Sequence, residues 1–240
     1  MSSFFHTVLY IPIYNLLIFL VDILPGGDIG LAVVIATVIV KVIIMPLSLA
    51  ALRTQRAMKA MEPDMKALKE KYKENQELLA KETFALYKVY GVNPFAGILT
   101  LFIQLPIILT LFWVFHSKTL LTVDTSLLYS FVHAPATISP YFLGIFLVTS
   151  SSIVLAILAA ATQFVQAWYT IPMPAKADKP SMSADMGRAM ALQMRYILPL
   201  FMGFIAYSST ALALYFITTN VVGIAQEFYI RRVHPKAKVS

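Results

Sequence analysis

Between Ile29 and Ala50 the chain carries one charged residue, Lys41. A hydrocarbon core takes roughly 20 apolar residues to cross, so this run is long enough to span a membrane. Lys41 then falls near mid-depth, where a charge is costly on any scale. Phe95–Phe115, Tyr141–Tyr169 and Tyr196–Ile230 are similarly apolar. The composition agrees: 59% of residues are hydrophobic and 13% charged, where soluble domains carry about 25% charged. The expected fold class is an all-α polytopic membrane protein.

The basic residues fix the expected topology. Of 19 Lys and Arg, nine lie in Arg53–Lys88, four in Lys176–Arg195 and four in Arg231–Lys238. Basic blocks between apolar spans mark cytoplasmic segments. The 35-residue block Tyr196–Ile230 has arginines at both ends, so it reads as two spans turning at Ser208-Ser209-Thr210. Residues 4–24 are interrupted by Pro12, Asn15 and Asp22 and read as an interfacial helix on the outer side, the alternative being a span. The first 25 residues hold no Lys or Arg, which argues against a cleaved signal peptide and places the N-terminus outside. The expected organisation is an outer interfacial helix and turn (1–28), a first span (29–51), a cytoplasmic helical hairpin (52–92) and a second span (93–116). An outer loop (117–140), a third span (141–170) and a cytoplasmic linker (171–194), with residues 171–185 expected to be disordered, follow. Two short spans (195–208 and 210–230) and a basic cytoplasmic tail (231–240) complete the chain. The hairpin is read from Met58, Met61, Met65, Leu68 and Tyr72, spaced 3, 4, 3, 4, and from Leu79, Thr83, Leu86 and Tyr90, which repeat the seam.

Lys41 needs an explanation. Its side chain reaches about 6 Å while the interface is about 15 Å away, so snorkelling is insufficient. A buried ion pair is disfavoured because the sequence places no Asp or Glu deep in any span. A neutral lysine in a dry core remains an alternative. The preferred reading is a water-filled cavity, because polar residues recur at helical spacing on the other spans. Thr37, Lys41 and Ser48 share a face; Asn93, Gly97, Thr100 and Gln104 form a second; Gln163 and Gln166 a third; Tyr215, Thr219 and Gln226 a fourth. Taken singly, each stripe reads more readily as helix–helix glue. A cationic wet pocket attracts carboxylates, phosphates or an acidic polypeptide segment.

Covalent chemistry is not expected. There is no HExxH, GxSxG or Walker loop. The absence of cysteine removes disulfides, thiolate metal sites and cysteine nucleophiles. The four histidines are scattered over loops, which makes a metal site improbable. No cofactor is expected, and the chain does not read as an enzyme.

Three stretches carry a resemblance. KVIIMPLSLAALRTQRAMKAMEPDMKALKEKY, ALYKVYGVNPFAGILTLFIQLPI and ALYFITTNVVGIAQEF are similar to the YidC membrane protein insertases, relatives of the mitochondrial Oxa and chloroplast Alb proteins. The resemblance extends over nearly the whole chain. It implies five transmembrane helices around a hydrophilic groove open to cytoplasm and lipid, a cytoplasmic helical hairpin and an outer amphipathic helix. It also implies a bacterial inner-membrane location and a role in inserting and folding nascent membrane proteins. Lys41 occupies the place of the family's groove arginine, and Thr37, Gln104 and Tyr215 fall at groove-lining positions. Thr100 stands where many relatives have Pro, and Phe216 where many have a second Tyr. Thr219 and Gln163 complete the expected groove. Arg53, Arg56, Lys66 and Lys69 of the hairpin are expected to meet the client or its targeting machinery. Expected partners are nascent membrane proteins, membrane lipids and, beyond these, the Sec translocon, the ribosome and the signal recognition machinery, with no specific nucleic acid. The rival reading is a small anion transporter or channel with Lys41 as its binding cation. Such proteins usually show internal repeats, and none is found. A pure assembly scaffold with a neutral Lys41 is the third reading.

Overall fold

The structure, a computed structural model, describes residues 6–73, 75–91, 106–114, 122–171, 173 and 188–233. The described chain is mainly helical. A π-helical turn, His6–Tyr10, leads into α1 (Ile11–Ile23), and α2 (Ile29–Ile43), α3 (Met45–Ala60), α4 (Glu62–Lys71) and α5 (Gln76–Val89) follow. A two-strand hairpin, β1 (Tyr141–Phe142) and β2 (Phe146–Leu147), precedes α6 (Ile153–Thr170), α7 (Leu198–Tyr207) and α8 (Thr210–Val233). Among the described residues, four helical stretches are long and apolar enough to cross a membrane, or five if α2 and α3 form one interrupted span. The chain is thus an all-α polytopic membrane protein.

Its contacts divide it into two compact units, Met1–Ile43 with Pro106–Glu227, and Ile44–Leu105 with Phe228–Ser240. In the first, α6 and α7 pack through small residues. A side chain at Gly203 would meet Ala160 Cβ at 2.8 Å and the Ala156 carbonyl at 3.3 Å. This close approach is how helices associate in lipid, where no hydrophobic force separates helix from solvent. The outward faces stay apolar and exposed: Ile153, Val154 and Ile157 on α6, Leu200, Phe201 and Phe204 on α7. In a membrane protein such faces meet acyl chains.

The starts of α2, α6 and α8 are stitched together, and α1 is tied to the loop before them. Asn15, buried on α1, donates to the Ile11 carbonyl (2.9 Å) and the Leu127 carbonyl (2.8 Å) and accepts from the Tyr129 amide (2.7 Å). Tyr14 Oη accepts from the Asp124 amide at 2.9 Å. Asp28 caps α2 by accepting from the Leu31 amide at 2.8 Å, while its other carboxylate oxygen accepts from the Leu143 amide at 2.7 Å. The amides of Thr210 and Ala211, where α8 starts, donate to the carbonyls of Ser150 (2.8 Å) and Val148 (3.1 Å). One layer therefore joins the starts of α2, α6 and α8. Replacing Asp28 with Ala removes a cap and a long-range bond, together worth about 2 kcal/mol. A correspondingly lower unfolding midpoint in detergent checks this.

The expected third span began at Tyr141; its helix starts at Ile153 instead, capped by the Ser152 hydroxyl. Residues 141–147 form the antiparallel hairpin, with Tyr141 opposite Leu147 and Phe142 opposite Phe146. Its turn holds Leu143 at φ +50° and Gly144 at φ +70°. The left-handed region suits glycine and costs another residue about 1 kcal/mol. No Asn-Gly signal marks this turn, so uniform hydrophobicity read as one long helix. The turn expected at Ser208–Thr210 lies between α7 and α8.

In the second unit, the helix expected to kink near Pro46 breaks at Ile44, and Pro46 opens α3. A proline lacks the amide that continues a helix and is accommodated in the first turn of a new one. Pro63 opens α4 in the same way, and the Asn75 side chain caps α5 through the Leu78 amide at 3.0 Å. The seam forms antiparallel: Thr83 Oγ1 lies 3.9 Å from Met65 Sδ, and Tyr90 Oη donates to the Asp64 carboxylate at 2.5 Å. Met61 is buried, whereas Met58 of the same expected seam is exposed. Donation to Asp64 holds the Tyr90 phenol above its ordinary value of 10.0. A raised value means that the Tyr90–Asp64 bond is fully present below pH 10 and is lost as pH rises through the folded-state value. Asp64→Asn returns the Tyr90 titration toward 10, which carbon NMR of labelled tyrosine resolves.

Candidate functional site

Most of the buried polar residues of the first unit lie on α8, with Thr37 on α2. On α2, Thr37 and Lys41 lie one turn apart on one face; Thr37 is buried and Lys41 half-buried. The Thr37 hydroxyl donates to its own helix, at the Val33 carbonyl, 2.7 Å away, leaving its oxygen as an acceptor only.

Helix α8 has two polar faces, separated by about 100° of helical rotation. One zips it to α6. Asn220, 1% exposed, donates to Thr162 Oγ1 at 3.1 Å and approaches the Ala159 carbonyl at 3.4 Å. Gly223 leaves room for the amide of Gln166, which a Cβ at that position would strike. The other face carries Tyr215, Thr219 and Gln226, all buried. There Thr219 Oγ1 and Gln226 Nε2 are buried without a hydrogen-bond partner among the described residues. Leaving such atoms unmatched costs about 1–3 kcal/mol each. A native fold keeps them where water or a bound polar group supplies the partner.

The expected groove residues are therefore placed unequally. Thr37 and Lys41 share α2, Tyr215 and Thr219 share α8, and Gln163 is half-buried on α6. Thr100 and Gln104, like Asn93 and Gly97, lie outside the described residues. Arg53, Arg56, Lys66 and Lys69 belong to the second unit; Lys66 pairs with Glu62 at 3.6 Å. Asn220 was not singled out by spacing, although the run TTNVVGIAQE, uncommonly polar inside an apolar block, could have shown it. Arg195, read as a topological marker, also has a structural task. Its Nη2 donates to the carbonyls of Trp168 (3.1 Å) and Ile171 (2.8 Å), closing the end of α6, and its guanidinium lies 4.3 Å from the Trp168 ring centroid. Cations at a helix C-terminus are favoured by the exposed carbonyls and the dipole.

Among the described residues no group of His, Cys, Asp or Glu is arranged to hold a metal ion. What the first unit presents is a buried polar face on α8 and a half-buried cation on α2. This defines a multi-pass membrane protein with a polar interior. Residues 20–237 match the model of the 60Kd inner membrane protein family, and the chain belongs to that family. It is 28% identical to a membrane protein insertase YidC of Fusobacterium nucleatum, over 86% of this chain and 87% of the relative. It is 30% identical to membrane protein insertase YidC 1 of Halalkalibacterium halodurans, over 89% and 74%. A YidC insertase of Chlorobium luteolum is 32% identical over 84% of this chain but only 32% of its own length.

Proposed function

We propose that this chain is a membrane protein insertase that passes a polar segment of its client along the Tyr215–Thr219–Gln226 face and Lys41. The observation that carries this reading is the pair of buried, unmatched polar atoms on α8, Thr219 Oγ1 and Gln226 Nε2. A polar face inside the bundle shortens the apolar barrier for a short segment of a nascent protein. Lys41 attracts acidic residues in that segment, and the client's apolar helix leaves along the lipid-facing surfaces of α6 and α7. Transfer is driven by burial of that helix, worth about 25 cal/mol per Å², so no bond is made or broken. Several relatives carry the insertase name, and this favours insertion over anion transport.

Orientation follows from charge. Arg231 and Arg232 end α8, so its start and the hydrogen-bonded layer lie outside. The N-terminus is outside, the C-terminus is cytoplasmic, and α1 lies in the outer interface, bound through Tyr14 and Asn15 to residues 124–129. The groove then opens to cytoplasm and lipid. The hairpin of α4 and α5, with Lys66 and Lys69 on α4 and Arg53 and Arg56 on the preceding α3, receives the client or its Sec, ribosomal or signal-recognition carriers. The test is insertion of a single-span client with a short acidic outer tail into reconstituted vesicles. Vesicles holding the protein translocate the tail; equal insertion into protein-free vesicles would refute the reading.

A further inference from the structure

The hairpin Tyr141–Leu147 ends in an apolar tip. Ile145 is 71% exposed, Leu143 62% and Tyr141 44%. We propose that this tip is a lipid anchor, with Leu143 and Ile145 inserted at the headgroup–acyl boundary of the leaflet beside the start of α2. That is the outer leaflet in the orientation proposed above.

Four observations converge on lipid as the occupant. Residues 125–175 contain no Asp, Glu, Lys or Arg, so the tip carries none of the charges that usually keep a projecting strand pair in water. Its backbone is prepared for a poor hydrogen-bonding medium. The Leu143 amide donates to Asp28 Oδ2 (2.7 Å), the Ile145 amide to the Phe142 carbonyl (3.0 Å) and the Val148 amide to the Pro140 carbonyl (2.8 Å). Backbone amides must be matched in this way before a segment can enter lipid. Its depth is set as well. Phe142 packs on Gly30 in the first turn of α2, where an added Cβ would strike the Phe142 ring, so the tip sits level with the point at which an apolar helix begins. Finally, Leu143 holds φ +50°, a conformation glycine or asparagine would adopt more easily. An unfavourable backbone that presents an exposed leucine is a sign that the leucine itself is used.

Anchoring there places apolar side chains on the layer that joins the starts of α2, α6 and α8, holding that layer at a fixed depth. Tyr141, at the base of the hairpin, supplies the amphipathic ring favoured at the interface.

The chain has no cysteine, so a single thiol can be placed without background. Leu143→Cys, Ile145→Cys and, as an exposed loop control, Ala136→Cys are labelled with an environment-sensitive fluorophore in otherwise wild-type protein. They are then reconstituted in vesicles with iodide on both sides or with nitroxide-labelled lipid. Labels at 143 and 145 are expected to resist iodide several-fold better than the label at 136 and to be quenched by nitroxide near the headgroups. Ile145→Cys leaves the left-handed position untouched, so its reading stands even where Leu143→Cys alters the turn. Iodide quenching equal to that at 136 would overturn the proposal, as would resistance to both quenchers, which would mean that protein covers the tip.

Discussion

Lys41→Met lowers insertion of a single-span client with an acidic outer tail by about ten- to a hundredfold, the loss expected when a charge-assisted contact of roughly 1.5–3 kcal/mol disappears. Lys41→Arg keeps the cation and adds a fork that grips carboxylates in two places, so it retains insertion. A client with a neutral tail loses much less with Met, because the contact removed is electrostatic. Lys41 is half-buried, one turn from Thr37, so a methionine of similar length fits without leaving a void. The comparison of acidic and neutral tails in reconstituted vesicles separates loss of the charge from loss of the fold. Equal loss for both tails would mean that Lys41 acts through structure.

The second large effect concerns stability. Gly27 has φ +64°, and a Cβ there would overlap the Thr137 carbonyl, which is backbone and cannot swing away. Around it, the Ser139 amide donates to the Gly27 carbonyl at 2.8 Å and the Ile29 amide to the Ser139 carbonyl at 3.2 Å. Gly27→Ala combines the left-handed penalty, the overlap and weakening of these bonds, about 3–5 kcal/mol in all. Gly26 has a similar φ, +73°, but open space around it, so Gly26→Ala costs only about 1–2 kcal/mol. Unfolding midpoints in detergent check the pair. Against a total stability of about 5–15 kcal/mol, the first substitution removes a large part and the second a small one.

How much of this was legible in the sequence depends on the physical signal available. Hydropathy and the basic blocks were enough for the helical class, and the Met61–Met65–Leu68 seam with Pro63 located the α4–α5 hairpin, because each feature is local. The β-hairpin was hidden by its own composition. Residues 141–148 are as apolar as a span, and the contacts that hold them folded back are with Asp28 and Gly30, more than 100 residues earlier. The break at Ile44 was displaced by two residues from the proline that causes it, since a proline disturbs the turn before it. At the candidate site, spacing correctly grouped Tyr215, Thr219 and Gln226 on one face of α8. It could not show that Thr37 donates to its own helix, that Asn220 bonds to α6 rather than facing the interior, or that Arg195 closes α6. Those facts depend on which neighbours arrive, and periodicity reports only direction.

In the proposed insertion route the Tyr215–Thr219–Gln226 face of α8 meets the client. The most direct measurement places a photo-activatable side chain at Thr219, at Gln226 and at Asn220, then illuminates a stalled single-span client during insertion. Crosslinks are expected from 219 and 226 to the client's polar segment and none from 220, which is held against α6. Client crosslinks from 220 equal to those from 219 and 226, or none from the latter two, would refute this route.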